Sequence, residues 1–102
     1  MYDIHQDQTK AVANGMRVAI LQWLKDPEAH FAHQETGKPS EIGVCVTLLA
    51  EKANLKQPTV SRHLELLKRA NFVKVKRIGK WSFYSRNEDG IAQFREWVNE
   101  QL

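Results

Sequence analysis

A chain of 102 residues with 42% hydrophobic and 26% charged side chains is long enough to bury one core and has the balance of a folded domain, which excludes a disordered tail. No apolar run approaches the roughly 18 residues of a membrane span, the opening MYDIHQDQTK lacks the basic start and apolar stretch of a secretory leader, and a lone cysteine cannot form an internal disulfide, so a cytoplasmic protein is expected. The net charge of +3 is spread unevenly: residues 52–86 carry ten Lys/Arg against one acid, Glu65, while residues 1–51 carry four against seven and residues 87–102 one against four. A basic block inside an acidic chain marks a surface for a polyanion, although a solvated charged face has the same signature.

From Ala11 to Lys25 the apolar residues Val12, Met16, Ala19, Ile20, Trp23 and Leu24 fall on one helical stripe. Gly15 interrupts it and Asn14 is suited to cap a fresh helix there, so one bent helix and two helices both fit. Asp26-Pro27 ends the segment. The stretch EAHFAHQETGKPSEIG that follows has turn residues and no periodicity, and reads as a long loop.

Val46 to Ala53 reads as a short apolar helix, and Asn54 after it tolerates a left-handed turn. Lys56-Gln57-Pro58-Thr59 opens another helix with Pro in its first turn, and Val60, Leu64 and Leu67 share one face at i, i+4 and i+7. Two helices joined by so short a turn form a helix-turn-helix. FVKVKRIGKWSFYS then alternates with the period of a strand, with Ile78-Gly79 at the expected hairpin turn. Of its aromatic residues, Trp81 and Phe83 are expected to pack between wing and core, and Tyr84 to be the more exposed. Glu88-Asp89 starts a last helix with an acidic first turn, as the helix dipole favours. Its apolar residues Ile91, Phe94, Trp97, Val98 and Leu102 exceed what one terminal helix buries.

The order helix, turn, helix, basic hairpin is that of a winged helix. The expected class is mainly α (α+β): a single domain over residues 1–102 with about five helices and a two-stranded hairpin wing. A helix fits the major groove of DNA and reads bases with its first turns. The exposed positions expected there are Gln57, Thr59, Ser61, Arg62 and His63; Gln suits adenine, Arg suits guanine, and Ser or Thr suits bases or phosphates. Lys56, Lys68 and Arg69 are better placed for phosphates, and Lys76, Arg77 and Lys80 at the hairpin tip for the backbone or a narrow minor groove. Each has a blander reading: His63 as a side chain bonded within its own domain, Thr59 as a weak helix cap.

The stretch LAEKANLKQPTVSRHLELLKRANFVKVKRIGKWSFYS, with NGMRVAIL upstream, resembles the ArsR/SmtB-type bacterial repressors over roughly residues 11–102; the QPTVSRHL core and the GKW wing carry the resemblance. It implies a homodimeric regulator, usually a repressor, that reads a partly palindromic operator in double-stranded DNA. It implies further that the terminal helices, about 9–25 and 88–102, form the dimer interface through Val12, Met16, Ile91, Phe94, Trp97, Val98 and Leu102, while residues 46–86 bind DNA. No membrane and no cofactor enter this reading.

Metal-sensing members of that family carry two cysteines one residue apart before the LAE motif. In this chain the matching positions hold Cys45 and Thr47. One thiolate per subunit is poor for soft ions, and the last helix has carboxylates but no His for zinc. No complete metal site is expected. His30 and His33, three apart, joined by Cys45 would be one alternative; oxidation of Cys45, as in a thiol-redox sensor, is another. We read Cys45 as a packing residue, with the inducing small-molecule or redox signal unidentified. A winged helix used only for protein–protein contact is the rival class. No arrangement of residues suggests an enzyme.

Overall fold

Asp3 opens the first helix by accepting a hydrogen bond from the His5 amide at 3.0 Å. In the computed structural model, which describes residues 2–102, that helix is α1, Ile4–Val12, so the first helix begins earlier than the expected residue 9. At Ala13-Asn14 the chain pauses, and the Asn14 side chain accepts from the Arg17 amide at 3.1 Å to start α2, Gly15–Lys25. Two helices are therefore formed, not one bent one. Ile20, Leu21 and Leu24 of α2 are buried, whereas Val12 at the end of α1 lies at the surface.

The expected long loop is partly helical. Pro27 starts α3, Pro27–Phe31, and Pro39 starts α4, Pro39–Ile42, each Pro at a position where its missing N–H costs nothing. Helices this short show no apolar stripe in the sequence, which is why they escape a periodicity argument. Phe31, fully buried, and the buried Pro39 anchor them.

Val44–Cys45 then forms a two-residue strand, β1, before α5 (Val46–Ala53). Asn54 adopts φ 55°, and its amide bonds back to Ala50 and Glu51 carbonyls. The long helix α6 follows, Gln57–Arg69, with Val60, Leu64 and Leu67 fully buried. The hairpin is β2 (Val73–Ile78) and β3 (Trp81–Arg86), and α7 (Glu88–Gln101) closes the chain.

The wing is three-stranded at its base, in the order β1-β3-β2, all antiparallel. Val44 pairs with Tyr84 and Cys45 with Phe83; Ile78 pairs with Trp81, which places the turn on Gly79-Lys80, one residue beyond the expected Ile78-Gly79. Gly79 takes φ +60°, as such a turn requires. Since paired residues share a face, Val44, Val75 and Tyr84 line one side and Cys45 and Phe83 the other. This register corrects the expected roles of the aromatic residues. Tyr84 packs against the main core and Phe83 is buried, while Trp81, next to the hairpin turn, is 44% exposed.

Candidate nucleic-acid interface

The path from α5 through α6 to β2 turns at two left-handed asparagines. Asn54 bends the chain between the helices, and Asn71, at φ 66°, releases it from α6 into β2. Leu49 and Ala50 of α5 and Val60, Leu64 and Leu67 of α6 join the same core. Sinking that face leaves Gln57, Thr59, Ser61 and Arg62 exposed along the first half of α6, with Lys56 exposed before it and Lys68 and Arg69 exposed in its last turn. No side chain caps the start of α6, so Thr59 is not serving as its cap. The Arg62 guanidinium meets the Glu65 carboxylate at 2.9 Å, with both side chains more than half exposed. Such a pair contributes little and exchanges readily for another anion.

His63 departs from the expected row of exposed residues. It is half-buried, and its Nδ1 lies 3.2 Å from a terminal nitrogen of Arg17. Burial first, and then the neighbouring Arg17 charge, holds its imidazole below its ordinary value. A neutral ring accepts the Arg17 hydrogen bond at Nδ1 and keeps its proton on Nε2.

Arg17 was not singled out in the sequence, yet it joins three elements. Its Nε donates to the Ala11 carbonyl at 2.9 Å and its other terminal nitrogen to the Lys10 carbonyl at 2.9 Å, which satisfies the C-terminal end of α1. Gln8 makes a second tie. It is buried, donates to the Ala70 carbonyl at the end of α6 at 3.1 Å, and its Oε1 lies 2.9 Å from His5 Nδ1. The signal for Gln8 was its place three residues before Ala11, on the inward face of α1. The end of β3 has a similar tie: Arg86, whose side chain is only 8% exposed, donates to the Leu21 carbonyl and pairs with Glu88 at 2.7 Å. That pairing holds the Glu88 carboxyl below its usual range.

On the wing, Lys76, Arg77 and Lys80 are exposed, as are Lys74 and the Trp81 ring, above which the Lys80 ammonium sits at 5.6 Å. The exposed residues of α6 and the wing cations thus lie on a helix and a sheet that pack directly together, α6 against β2.

Cys45 is 7% exposed. Its amide donates to Gln34 Oε1 at 2.9 Å, while Gln34 Nε2 donates to the Gly37 and Gly43 carbonyls at 2.9 and 3.0 Å. Gly43, at φ +93°, runs so close to β3 that an added Cβ would meet the Tyr84 carbonyl oxygen at 2.8 Å. A cavity of about 290 Å³ lies beside this junction, lined by His33, Cys45, Thr47, Leu48 and Trp81. Among the described residues no three His, Cys, Asp or Glu side chains converge in a way that would hold a metal ion, so His30, His33 and Cys45 do not assemble the three-ligand group considered from the sequence.

At the opposite end, α1 and α7 meet through a stack of His5 on Trp97, centroids 4.2 Å apart. Phe94, Trp97 and Val98 remain half-buried, Met16 is half-buried against the core, Val12 is 36% exposed and Leu102 fully exposed. Ile91 is different. At 7% exposed it belongs to this chain's own core.

The chain is similar to known proteins in three ways. The family described as bacterial regulatory protein, arsR family, matches residues 44–75, which run from β1 through α5 and α6 into β2. The HTH-type transcriptional regulator YbzH of Bacillus subtilis is 40% identical over 93 residues, covering 91% of this chain and 93% of that protein. Among solved structures, the ArsR family transcriptional regulator RHA00566 superposes with a TM-score of 0.72 at 17% identity, over 97% of this chain and 92% of that one. The homodimeric winged helix-turn-helix DNA-binding domain Mb0332 from Mycobacterium bovis superposes with a TM-score of 0.65 at 26% identity, over 97% and 81%.

Proposed function

This chain belongs to the ArsR family of helix-turn-helix transcriptional regulators, which are not enzymes, and from that premise we propose that it is a homodimeric repressor of an operator in double-stranded DNA. The observation that carries the reading is the row Gln57, Thr59, Ser61 and Arg62, exposed along the first turns of α6 and without a buried or capping role. These residues read base edges, Arg62 exchanging its weak Glu65 pair for a base. Lys56, Lys68, Lys76, Arg77 and Lys80 hold phosphates and supply most of the affinity. His63 acts one step behind them, as a positioning residue on Arg17.

The chain works as a single domain, with residues 46–86 reading DNA and the terminal helices pairing two copies. The dimer surface is built from Val12, Met16, Phe94, Trp97, Val98 and Leu102, the partly exposed apolar residues of α1, α2 and α7; the homodimeric state of Mb0332 supports it. A two-fold dimer presents two α6 helices to half-sites a whole number of helical turns apart. Among the described residues no helix is long and apolar enough to cross a membrane, and we assign the protein to the cytoplasm with its DNA. An unidentified signal releases it by binding the free and DNA-bound states with different affinity.

The test is binding to duplex DNA from the protein's own promoter region across a salt series. Affinity that falls linearly on a log–log plot of binding constant against salt supports the reading. No binding at low salt would instead indicate a winged helix used for protein–protein contact.

A further inference from the structure

Between α1, α2 and α6 lies a crevice of about 260 Å³, open to solvent on one side, whose charged lining is Asp7, Lys10, Arg17, Arg62 and Arg69. Four cations therefore meet one carboxylate. Asp7 is already engaged, accepting a hydrogen bond from the Tyr2 hydroxyl. The ion pairs among the described residues are Arg62–Glu65 and Arg86–Glu88, so Lys10, Arg17 and Arg69 line the crevice without a carboxylate partner. Like charges gathered this way repel one another unless an anion lies between them.

We propose that this crevice is a binding site for a small oxyanion of the phosphate type, held by the three cations without a carboxylate partner, Arg17 from α2, Arg69 from α6 and Lys10 from α1. Arg17 is preorganised for it. Three of its N–H groups are spent on Lys10, Ala11 and His63, and of the five that a guanidinium carries two remain. A guanidinium fork matches the edge of a tetrahedral oxyanion, which gives direction as well as charge. The volume lies just below the roughly 300–1,000 Å³ of sites for drug-sized ligands, which favours a small anion over an organic molecule. Arg69 closes the last turn of α6, so an anion held between it, Arg17 and Lys10 ties the end of that helix to α1 and α2.

A bound anion would thus stiffen the junction between the pairing helices and the reading helix. That consequence rests on the function proposed above; occupancy of the site does not. The same chemistry has two sources, a free anion and a phosphate of the DNA backbone.

The direct experiment uses the full chain without DNA, melted in sodium phosphate and in sodium chloride at matched ionic strength and pH 7. Phosphate should raise Tm saturably beyond chloride. Arg69→Gln and Lys10→Gln, both at exposed positions, should each weaken that response about tenfold, the loss expected of one charge-assisted contact, with unchanged far-ultraviolet circular dichroism. Equal effects of the two salts, or variants that respond as the parent does, would overturn the site. With operator DNA present, the two sources separate. A salt slope reduced by about one in Arg69→Gln identifies a backbone phosphate as the occupant. An unchanged slope, with operator affinity that responds to inorganic phosphate in the parent and not in Arg69→Gln, identifies a free anion.

Discussion

Arg17 and His63, 46 positions apart in the chain, meet at 3.2 Å, the guanidinium donating to the imidazole Nδ1. A protonated ring would lose that acceptor and face a cation, so folding favours the neutral form. The His63 value is lowered in the folded chain, and below about pH 6.5 the unfolded chain takes up the proton first. The stability from this contact is therefore complete above pH 6.5 and is lost as pH falls through the folded-state value. Urea midpoints should drop between pH 7 and pH 5, and His63→Gln should flatten that drop. An NMR titration placing His63 at or above 6.5 would contradict the account.

Gly90 sits where α7 starts against the turn after α6. A Cβ there would lie 1.9 Å from the Asn71 carbonyl oxygen, and the same turn is held by Asn87 Nδ2 on Asn71 Oδ1 at 2.9 Å. Backbone cannot yield as a flexible side chain can. Gly90→Ala should cost about 3 kcal/mol or more, seen as a lower urea midpoint at unchanged slope.

Substitutions of Arg62 and Lys80 test the proposed division between base reading and phosphate holding. Arg62→Ala should cost about 1–3 kcal/mol on the operator and relax base preference at one position of each half-site. Lys80→Ala should weaken all sequences alike and lower the salt slope by about one. Unchanged base preference in Arg62→Ala, measured by competition between single-base operator variants, would show that α6 reads with other residues.

Cys45 is 7% exposed with its amide held by Gln34. Alkylation should proceed about 100-fold slower in the native protein than in denaturant, because it waits for local opening. Cys45→Ser should still release DNA in response to the inducing signal. Loss of that response in a folded Cys45→Ser protein would instead assign the thiol a sensing role.

Val98 lies half-buried on α7 near the exposed Leu102. Val98→Asp places a charge on the proposed pairing surface and should shift sedimentation from dimer to monomer at micromolar concentration. A dimer that survives it would put the interface elsewhere.

The helix-turn-helix, the hairpin and the terminal helix were legible because each is long enough for its own period. Val60, Leu64 and Leu67 announce α6 and its buried face without help from tertiary contacts. The helices Pro27–Phe31 and Pro39–Ile42 and the strand Val44–Cys45 are too short for any period to appear. Trp81 and Tyr84 exchanged their expected roles because exposure in a strand depends on what lies beneath it: β1 pairs beside Tyr84, whereas Trp81 sits beyond it at the hairpin turn. Arg17 and Gln8 reach partners distant in the chain, which local spacing does not reveal. The exposed row of α6 was legible except at His63, where that distant arginine decides.

The pairing of Val44 with Tyr84 and Cys45 with Phe83 bears on how this protein could be re-engineered. Residue 45 leads directly into α5, and β3 leads through Asn87 into α7, so two residues of ladder staple the wing to the start of α5 and to the approach to α7. Transplanting α6 alone into a foreign scaffold to carry over its specificity would leave the wing at an unrelated angle. A transfer that keeps the wing in place has to begin no later than Gly43, where only a glycine clears the Tyr84 backbone, and to run unbroken through Arg86.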